Sequence, residues 1–256
     1  MIQFSGVIIT YNEERHIESC IRSLKSVADE IIVVDSYSTD KTVEICKSYN
    51  VTVIMQSFLG YIEQKNFALT KASHDYIISL DGDECLSKEL QESIIGLKKN
   101  WRYNGYCMNR FNNFCGQWIK HSDWYPDKKC RVFHRKKAQW SGINPHDNII
   151  LYDNSEKMGF LKGDILHYGY QSYSEFNKKT EHFSEIAAKA YLDKGKKATL
   201  WHIFFNPTWA FFKAYFLRLG ILDGLNGFII CYQTANLTFL KYIKLWALMK
   251  LETDKE

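Results

Sequence analysis

The sequence predicts an α/β fold in which a mainly parallel, doubly wound sheet is followed by a helical, aromatic C-terminal extension. Short apolar runs rich in β-branched residues alternate with amphipathic stretches in the first part of the chain, as in a parallel sheet covered by helices on both faces. Aromatic residues make up 15% of the 256 residues and concentrate toward the C-terminus. We therefore assign residues 1–195 to the α/β domain, with halves of about 1–100 and 101–195, and residues 196–256 to the extension.

Four strand-helix units account for the first half of the predicted domain. GVIITYNEE is an apolar run ended by polar residues, and an amphipathic helix beginning near Ile17 follows it. EIIVVD predicts the second strand, and Ser38 or Thr39 is a suitable N-cap for the next helix. The third unit is VTVIMQ followed by QKNFALTKA, and the fourth is YIISL followed by KELQESIIGLKKN.

Polar residues follow three of these strands at the point where each strand ends. They are Thr10 to Glu14 after the first strand, Asp35 to Asp40 after the second and Asp81 to Glu84 after the fourth. Ligands of open parallel sheets bind outside the carboxyl ends of the strands. We therefore expect the three segments to converge on one cleft.

Composition and motifs argue against several classes of protein. A net charge of +4 without a Lys/Arg block or zinc-finger spacing does not favour nucleic-acid binding. Neither GxGxxG nor GxxxxGK[ST] occurs, so no glycine cradle for NAD and no ATP-binding P-loop is predicted. The seven cysteines are scattered without a CxxC pair, which favours reduced thiols over a disulfide framework or a zinc site. The N-terminus lacks a basic segment followed by a long apolar one, so we expect a cytoplasmic protein.

The sequence Asp81-Gly82-Asp83-Glu84 places carboxylates directly behind a predicted buried strand. An Asp-x-Asp motif there offers oxygen ligands to Mg²⁺ or Mn²⁺, which usually complete their coordination with waters and substrate phosphates. The alternative is that the acids cap a helix or form a solvated turn. Gln64 to Asn66 adds a cation and amides at the start of a helix, suited to phosphate or base contacts, and favours the binding site.

The motifs VIITYNEE, IIVVDSYSTDKT, GYIEQKNFAL and YIISLDGDE, in this order and spacing, resemble the nucleotide-sugar half of a family 2 glycosyltransferase with the GT-A fold. The later stretches WYPDKKCRVFHRKKAQW, NPHDNI, ILHYGY and YFLRLGILDGLNGF resemble the bacterial lipopolysaccharide-core β-glycosyltransferases of that family. The resemblance implies transfer of a sugar, with inversion, from a UDP-sugar donor to a hydroxyl of a glycan or glycolipid acceptor. It also implies Mg²⁺ or Mn²⁺ as cofactor.

The resemblance assigns donor contacts to positions that match its motifs. The implied contacts are Thr10, Tyr11, Asn12 and Glu13 near the base and ribose, Asp35 on the uracil imide, Lys65 near the base or diphosphate, Asp81 near the ribose with Gly82 beside it, and Asp83 on the metal. A metal would neutralise the charge of a diphosphate leaving group without donating a proton. Glu84 is either an outer partner of this site or a carboxylate at a helix N-terminus.

Inversion also requires a general base that takes the proton of the acceptor hydroxyl. The resemblance places it at Asp147 in SGINPHDNII, where related sequences carry a glutamate, so the shorter aspartate is a departure. Alternatively Asp147 is a turn residue after Pro145. Asp123 and Asp127 are the reserve candidates for the base.

Further candidates for acceptor or phosphate contact surround this segment. Aromatic faces with polar rims suit sugar binding, but large aromatic side chains are equally common in cores. The candidates are Trp124 among the aromatic residues Trp118 to Trp140, Arg131 on a presumed strand, His146 beside the predicted base and His167 in LHYGY.

The C-terminal extension is basic as well as aromatic. From Lys196 onward it carries eight Lys or Arg residues and four acids, an excess equal to the net charge of the whole chain. Neither TLWHIFFNPTWAFFKAYFLRLG nor FLKYIKLWALMKL is an uninterrupted apolar span, so we expect these helices to lie on an anionic membrane surface rather than cross it. The alternative is packing on the α/β domain or on a second subunit of a homo-oligomer.

The sequence therefore predicts a cytoplasmic, peripherally membrane-bound glycosyltransferase acting on a lipid-linked or lipopolysaccharide-core glycan. One rival is a sugar nucleotidyltransferase, which would also use metal carboxylates but should carry an early glycine-rich loop with Arg and Lys. The second rival is a noncatalytic glycan-binding or scaffold protein on the same fold.

Overall fold

The computed structural model describes residues 2–143, 146–153 and 155–253, and within these all side chains except those of Ile143, His146, Glu252 and Thr253. The strands are β1 Phe4–Thr10, β2 Glu30–Asp35, β3 Thr52–Met55, β4 Tyr76–Asp81, β5 Glu84–Leu86, β6 Gly105–Phe114, β7 Gln117–Trp118, β8 Asp127–His134, β9 Ala138–Ile143, β10 His146–Leu151 and β11 Gly159–Tyr170. The α-helices are α1 Ile17–Lys25, α2 Thr42–Ser48, α3 Tyr61–Lys71, α4 Lys88–Leu97, α5 Tyr173–Asp193, α6 Leu200–Phe212 and α7 Gly224–Thr253. The four predicted strand-helix units are confirmed.

The main sheet has a parallel and an antiparallel part, in the order β3-β2-β1-β4-β8-β6-β11-β5 with β7 on β6. β1 pairs in parallel with β2 and β4, and β2 pairs in parallel with β3. β8 runs antiparallel to both β4 and β6, and β5 runs antiparallel to β11. β9 and β10 form a separate antiparallel pair. The predicted α/β class with a parallel nucleus is therefore confirmed.

Helices cover both faces of the parallel part because its strands are apolar on both sides. Phe4 and Ile8 of β1 point into a core that includes residues of α1, α2 and α4. Val7 and Ile9 point to the opposite face, into a core shared with α3, β9 and β10. Alternation of side chains along a strand produces this division, which is the predicted double winding.

The chain divides into two compact units, at boundaries that differ from the predicted 1–195 and 196–256. One unit contains residues 1–111 and 127–168, and the other contains residues 112–126 and 169–256. Helix α5 was expected in the α/β domain, but it packs on α7, where Lys244 Nζ lies 2.6 Å from Glu181 Oε1. A helix belongs to the unit against which its side chains pack, and the position of α5 in the sequence did not predict that unit.

In the second unit, α6 continues into a π-helical turn at Lys213–Leu217, and a 3₁₀ turn at Gly220–Asp223 precedes α7. No single helix in the described ranges is long and apolar enough to cross a membrane. The bent pair Leu200–Leu217 and Gly220–Leu251, with 71° between its members, satisfies the requirement of length and composition only when both are taken together.

Cys107 and Cys130 lie directly opposite each other on β6 and β8, and their sulfur atoms are bonded. The prediction that all the cysteines are thiols is therefore wrong for this pair. The two residues are far apart in the sequence, and only the register of two antiparallel strands brings them together. The other five cysteines are free.

Candidate active site

The parallel register places the ends of three strands side by side. Thr10 is level with Asp35 on β2, and its neighbour Ile9 is level with Asp81 on β4. The three strand ends are adjacent as predicted, but of the three polar segments, which the structure describes in full, only Asp81 lines the cavity reported below.

Hydrogen bonds lock the loops after β1 and β2 together. Asn12 adopts a left-handed conformation at φ 53°. Its backbone N–H donates to Ser38 Oγ at 2.8 Å, and its side-chain oxygen accepts from the N–H of Thr39 at 2.8 Å. Asp35 is fully buried and accepts from the N–H and the hydroxyl of Ser38, at 2.7 and 2.5 Å. Tyr11, which precedes Asn12, is exposed.

Position 82 requires glycine because the Asp-Gly-Asp segment after β4 lies very close to the end of β1. A Cβ atom at this position would lie 2.6 Å from Oγ1 of Thr10, closer than nonbonded atoms approach. That hydroxyl oxygen is buried and has no hydrogen-bond partner within the described part of the chain. The contact holds the backbone of the Asp-Gly-Asp segment against the end of β1.

A buried cluster of alternating charge lies behind Asp81. Lys65 Nζ lies 3.0 Å from Oδ1 and 3.2 Å from Oδ2 of Asp81, and donates to Oδ2 of Asp147 at 2.7 Å. Arg131 donates to Asp81 at 3.1 Å and to the two oxygens of Glu84 at 3.0 and 3.2 Å. Glu84 also accepts from the backbone N–H of Asp81 at 3.1 Å. Each buried charge is therefore compensated by an opposite one, as burial requires.

Glu84 and Arg131 stabilise each other's charged forms. Burial opposes ionisation of Glu84, but the guanidinium groups of Arg131 and Arg110 outweigh it, and the pKa of Glu84 falls to about 2. Burial likewise opposes the charge of Arg131, yet Glu84 and Asp81 raise its pKa. Glu84 belongs to β5, so of its two expected roles the structure supports that of an outer partner of the site.

The ring of Trp140 lies against the side chains of Lys65 and Arg131. Its ring centroid lies 4.4 Å from Lys65 Nζ and 5.0 Å from Arg131 Cζ, within range of cation–π attraction. Asn66 holds Trp140 in place, because its side chain bonds the tryptophan carbonyl at 2.9 Å and N–H at 3.1 Å. Neither contact was predicted, although Asn66 and Lys65 belong to the QKN motif singled out in the sequence.

The charged cluster opens into a cavity of about 260 Å³. Four cations and two carboxylates face it, together with a tyrosine and an amide: Tyr61, Lys65, Asp81, Arg110, Lys129, Arg131, Asp147 and Asn148. An excess of cations suits an anionic ligand such as a diphosphate. The predicted base Asp147 and the donor residues Lys65 and Asp81 thus line one space.

Asp83 and His167 form a second pair at the same strand end. Nε2 of His167 lies 3.3 Å from Oδ2 of Asp83, because β11 pairs with β5 so that His167 is level with Glu84. Burial lowers the pKa of the nearby His16, with Asp83 opposing it, and the ring of His16 stacks on Tyr168 at 4.7 Å. A carboxylate and an imidazole at this distance are suitable ligands for a divalent ion, although the described side chains contain no cluster of three such ligands.

The remaining predicted residues have different surroundings. Trp124 packs in an aromatic cluster with Phe114, Tyr170 and Phe176, which favours the core alternative over acceptor contact. The side chain of His146 lies outside the described part of the structure. Of the reserve bases, Asp127 pairs with Arg110 at 2.8 Å and Asp123 pairs with Arg218 at 3.0 Å.

Comparison with known proteins identifies the family. Residues 5–155 match the model of Glycosyl transferase family 2. The chain belongs to this family. It is therefore a glycosyltransferase, and the rival interpretation as a sugar nucleotidyltransferase is not supported.

Two glycosyltransferases of similar sequence match nearly the whole chain. An uncharacterized glycosyltransferase of Rickettsia bellii is 36% identical, over 95% of this chain and 86% of its own length. The lipopolysaccharide core biosynthesis glycosyltransferase LpsC of Rhizobium meliloti is 29% identical, over 96% of this chain and 92% of its own. Among solved structures, S. aureus TarS (1–349) aligns with a TM-score of 0.49 at 17% identity, covering 93% of this chain and 91% of that one.

Proposed function

We propose that this family 2 glycosyltransferase transfers a sugar, a hexose in the simplest case, from a UDP-sugar to a hydroxyl of a lipid-linked or lipopolysaccharide-core glycan, with inversion. The observation that carries the proposal is the cavity at the strand ends, in which Asp81 and Asp147 face four cationic side chains. Such a site neutralises a diphosphate and supplies a carboxylate for proton transfer within one enclosed space.

Cationic side chains of the cavity would bind the donor diphosphate. Arg110 and Lys129 are partly exposed and pair with Asp127 at its rim, while Arg131 and Lys65 are almost fully buried. The partly exposed pair would exchange its carboxylate partners for a phosphate, whereas the buried pair stays with Asp81, Asp147 and Glu84. We assign Arg110 and Lys129 to direct phosphate contact and Arg131 to holding Asp81 and Glu84 in position.

Asp83 and His167 would hold a divalent Mg²⁺ or Mn²⁺, because a carboxylate oxygen and an imidazole nitrogen lie 3.3 Å apart. Both side chains are partly exposed, which leaves room for oxygen ligands from the substrate. When bound, such an ion would neutralise charge that develops on the leaving diphosphate.

Asp147 is proposed as the general base. Its carboxylate would take the proton of the acceptor hydroxyl while the acceptor oxygen bonds the anomeric carbon, and UDP would leave with the electron pair of the broken bond. In this structure one oxygen of Asp147 accepts from Lys65. That bond orients the carboxylate, and we assign its other oxygen to the acceptor.

The lipid-linked nature of the acceptor is supported by the similarity to LpsC, which is named for lipopolysaccharide core biosynthesis.

Release of UDP measures the proposed activity directly. The protein is incubated with a panel of UDP-hexoses and UDP-N-acetylhexosamines, with and without Mn²⁺, and with a lipid-extract acceptor. We expect Mn²⁺-dependent release of UDP from one donor, abolished in Asp83→Ala. Release from a GDP- or CMP-sugar instead would show that the donor is wrong, and the absence of turnover with every donor class would overturn the proposed reaction.

A further inference from the structure

The exposed face of α6 is apolar, whereas the exposed face of an ordinary surface helix is polar. Its exposed side chains recur three or four residues apart: Leu200, Trp201, Phe204, Phe205, Trp209 and Phe212. Phe204 is 67% exposed, whereas its neighbour Ile203 is 3% exposed and belongs to the packed side. Surface helices of water-soluble domains normally turn polar residues outward.

The exposed aromatic rings contact each other rather than a core. Trp201 stacks on Phe205 with 4.4 Å between the ring centroids, and Phe212 lies 5.2 Å from Phe216 in the π-helical turn. Exposed apolar side chains continue in the 3₁₀ turn, where Leu222 is 64% exposed, and in the first turn of α7, where Leu225 is 74% exposed. Contiguous apolar surface of this kind marks an interaction site.

The exposed charged side chains of the segment that carries this surface are cationic. From Lys196 to Lys241 the charged residues are Lys196, Lys197, Lys213, Arg218, Asp223 and Lys241. The acid among them, Asp223, is 6% exposed. Its carboxylate accepts from the backbone N–H of His121 at 2.9 Å and lies 3.0 Å from the His121 ring. This segment, which the structure describes throughout, therefore carries no exposed carboxylate, and the half-exposed Asp123, which lies outside it, pairs with Arg218 at 3.0 Å.

We propose that this face, formed by α6, the π-helical turn and the 3₁₀ turn, binds the surface of an anionic lipid bilayer. Phenylalanine, tryptophan and leucine side chains would enter the headgroup region, and Lys196, Lys197 and Lys213 would meet anionic headgroups. Charge complementarity selects this partner, because an apolar face surrounded by cations repels a second copy of itself. The proposal does not depend on the identity of the donor or on the catalytic roles assigned above.

Cosedimentation of the full-length protein with vesicles tests the proposal. We expect binding to phosphatidylglycerol/phosphatidylethanolamine vesicles at low salt, weaker binding at about 0.5 M NaCl because screening shortens the reach of the charges, and little binding to phosphatidylcholine. Trp201→Ser with Phe204→Ser should weaken partitioning by at least roughly tenfold, since each removes a large exposed apolar side chain. Lys213→Glu should weaken it about fivefold or more.

Matched controls come from the other compact unit. Phe160→Ser removes a side chain that is 54% exposed, and Lys47→Glu reverses an exposed charge, so both should bind vesicles like the wild type. Circular dichroism melts establish that each variant is folded. Brominated phosphatidylglycerol should quench tryptophan fluorescence in the wild type, and the quenching should fall in Trp201→Phe with Trp209→Phe while binding persists.

Three outcomes would overturn the proposal. They are the absence of binding to anionic vesicles, equal loss in the control variants, and a dimer seen by light scattering that the Trp201 and Phe204 substitutions dissociate. The last result would assign the face to a second copy of the chain.

Discussion

Lys65 joins two carboxylates of the candidate site, with its Nζ atom 2.7 Å from Oδ2 of Asp147 and 3.0 Å from Oδ1 of Asp81. The ammonium is 2% exposed and lies over the ring of Trp140. Asp81, a predicted donor contact, and the proposed base therefore share one buried counterion. A substitution at one carboxylate should change the interaction of the other with Lys65.

Lys65→Met should destabilise the fold as well as the activity. Removing one partner of a buried ion pair typically costs about 3–5 kcal/mol, because the remaining charges stay buried without compensation. The double variant Lys65→Met/Asp147→Asn should be more stable than the two single effects predict, with a coupling on the order of 1–3 kcal/mol. Urea unfolding of the four proteins measures this coupling, and additive effects would contradict the shared counterion.

Asp147→Asn should separate binding from chemistry. The amide retains an oxygen that accepts from Lys65 but cannot take a proton, so we expect UDP affinity to persist and turnover to fall by roughly a hundredfold or more. Asp153→Asn, on an exposed loop beyond β10, is the matched control. If the turnover of Asp147→Asn stays within a few-fold of the wild type, the base lies elsewhere. The turnover of Asp127→Asn and then of Asp123→Asn should then be measured to identify it.

Asp83→Ala should abolish the Mn²⁺-dependent part of UDP binding and leave the fold intact. The carboxylate is one of the two proposed metal ligands, and its loss removes the bridge between metal and diphosphate. His167→Ala should weaken the same part of the binding. Calorimetric titration of UDP with and without Mn²⁺ checks both variants, and equal Mn²⁺-dependent affinity in Asp83→Ala and wild type would remove Asp83 from the metal site.

The Glu84–Arg131 pair should make stability depend on acidic pH. Because the pKa of Glu84 is lowered from 4.5 to about 2 in the folded state, its contribution is fully present above about pH 5 and is lost as the pH falls toward 2. The lost contribution is at most about 3 kcal/mol. Glu84→Gln should be less stable at neutral pH and show a flatter decline between pH 5 and 2 in denaturant unfolding. The exposed Glu44→Gln should follow the wild type, and equal slopes in all three proteins would contradict the assignment.

Local patterns predicted the strand-helix units and the polar strand ends correctly. Apolar runs, helical periods and the residues that follow them are short-range properties of the sequence. Strands joined by right-handed connections pair in parallel, so their carboxyl ends lie at one edge of the sheet. The positions of Thr10, Asp35 and Asp81 at that edge follow from this alone. The family resemblance added roles for these residues, and those roles stay predictions.

Contacts between distant segments were decided by the tertiary structure. The bond from Lys65 to Asp147, the pairing of Arg131 with Glu84 and the approach of His167 to Asp83 depend on how α3, β8, β10 and β11 are placed. The bond between Cys107 and Cys130 and the packing of α5 on α7 depend on placement in the same way. Hydrophobic periodicity states which face of an element is buried but not what it meets. The sequence by itself therefore determined the elements and the edge where the chemistry lies, and packing decided which charges neutralise each other there.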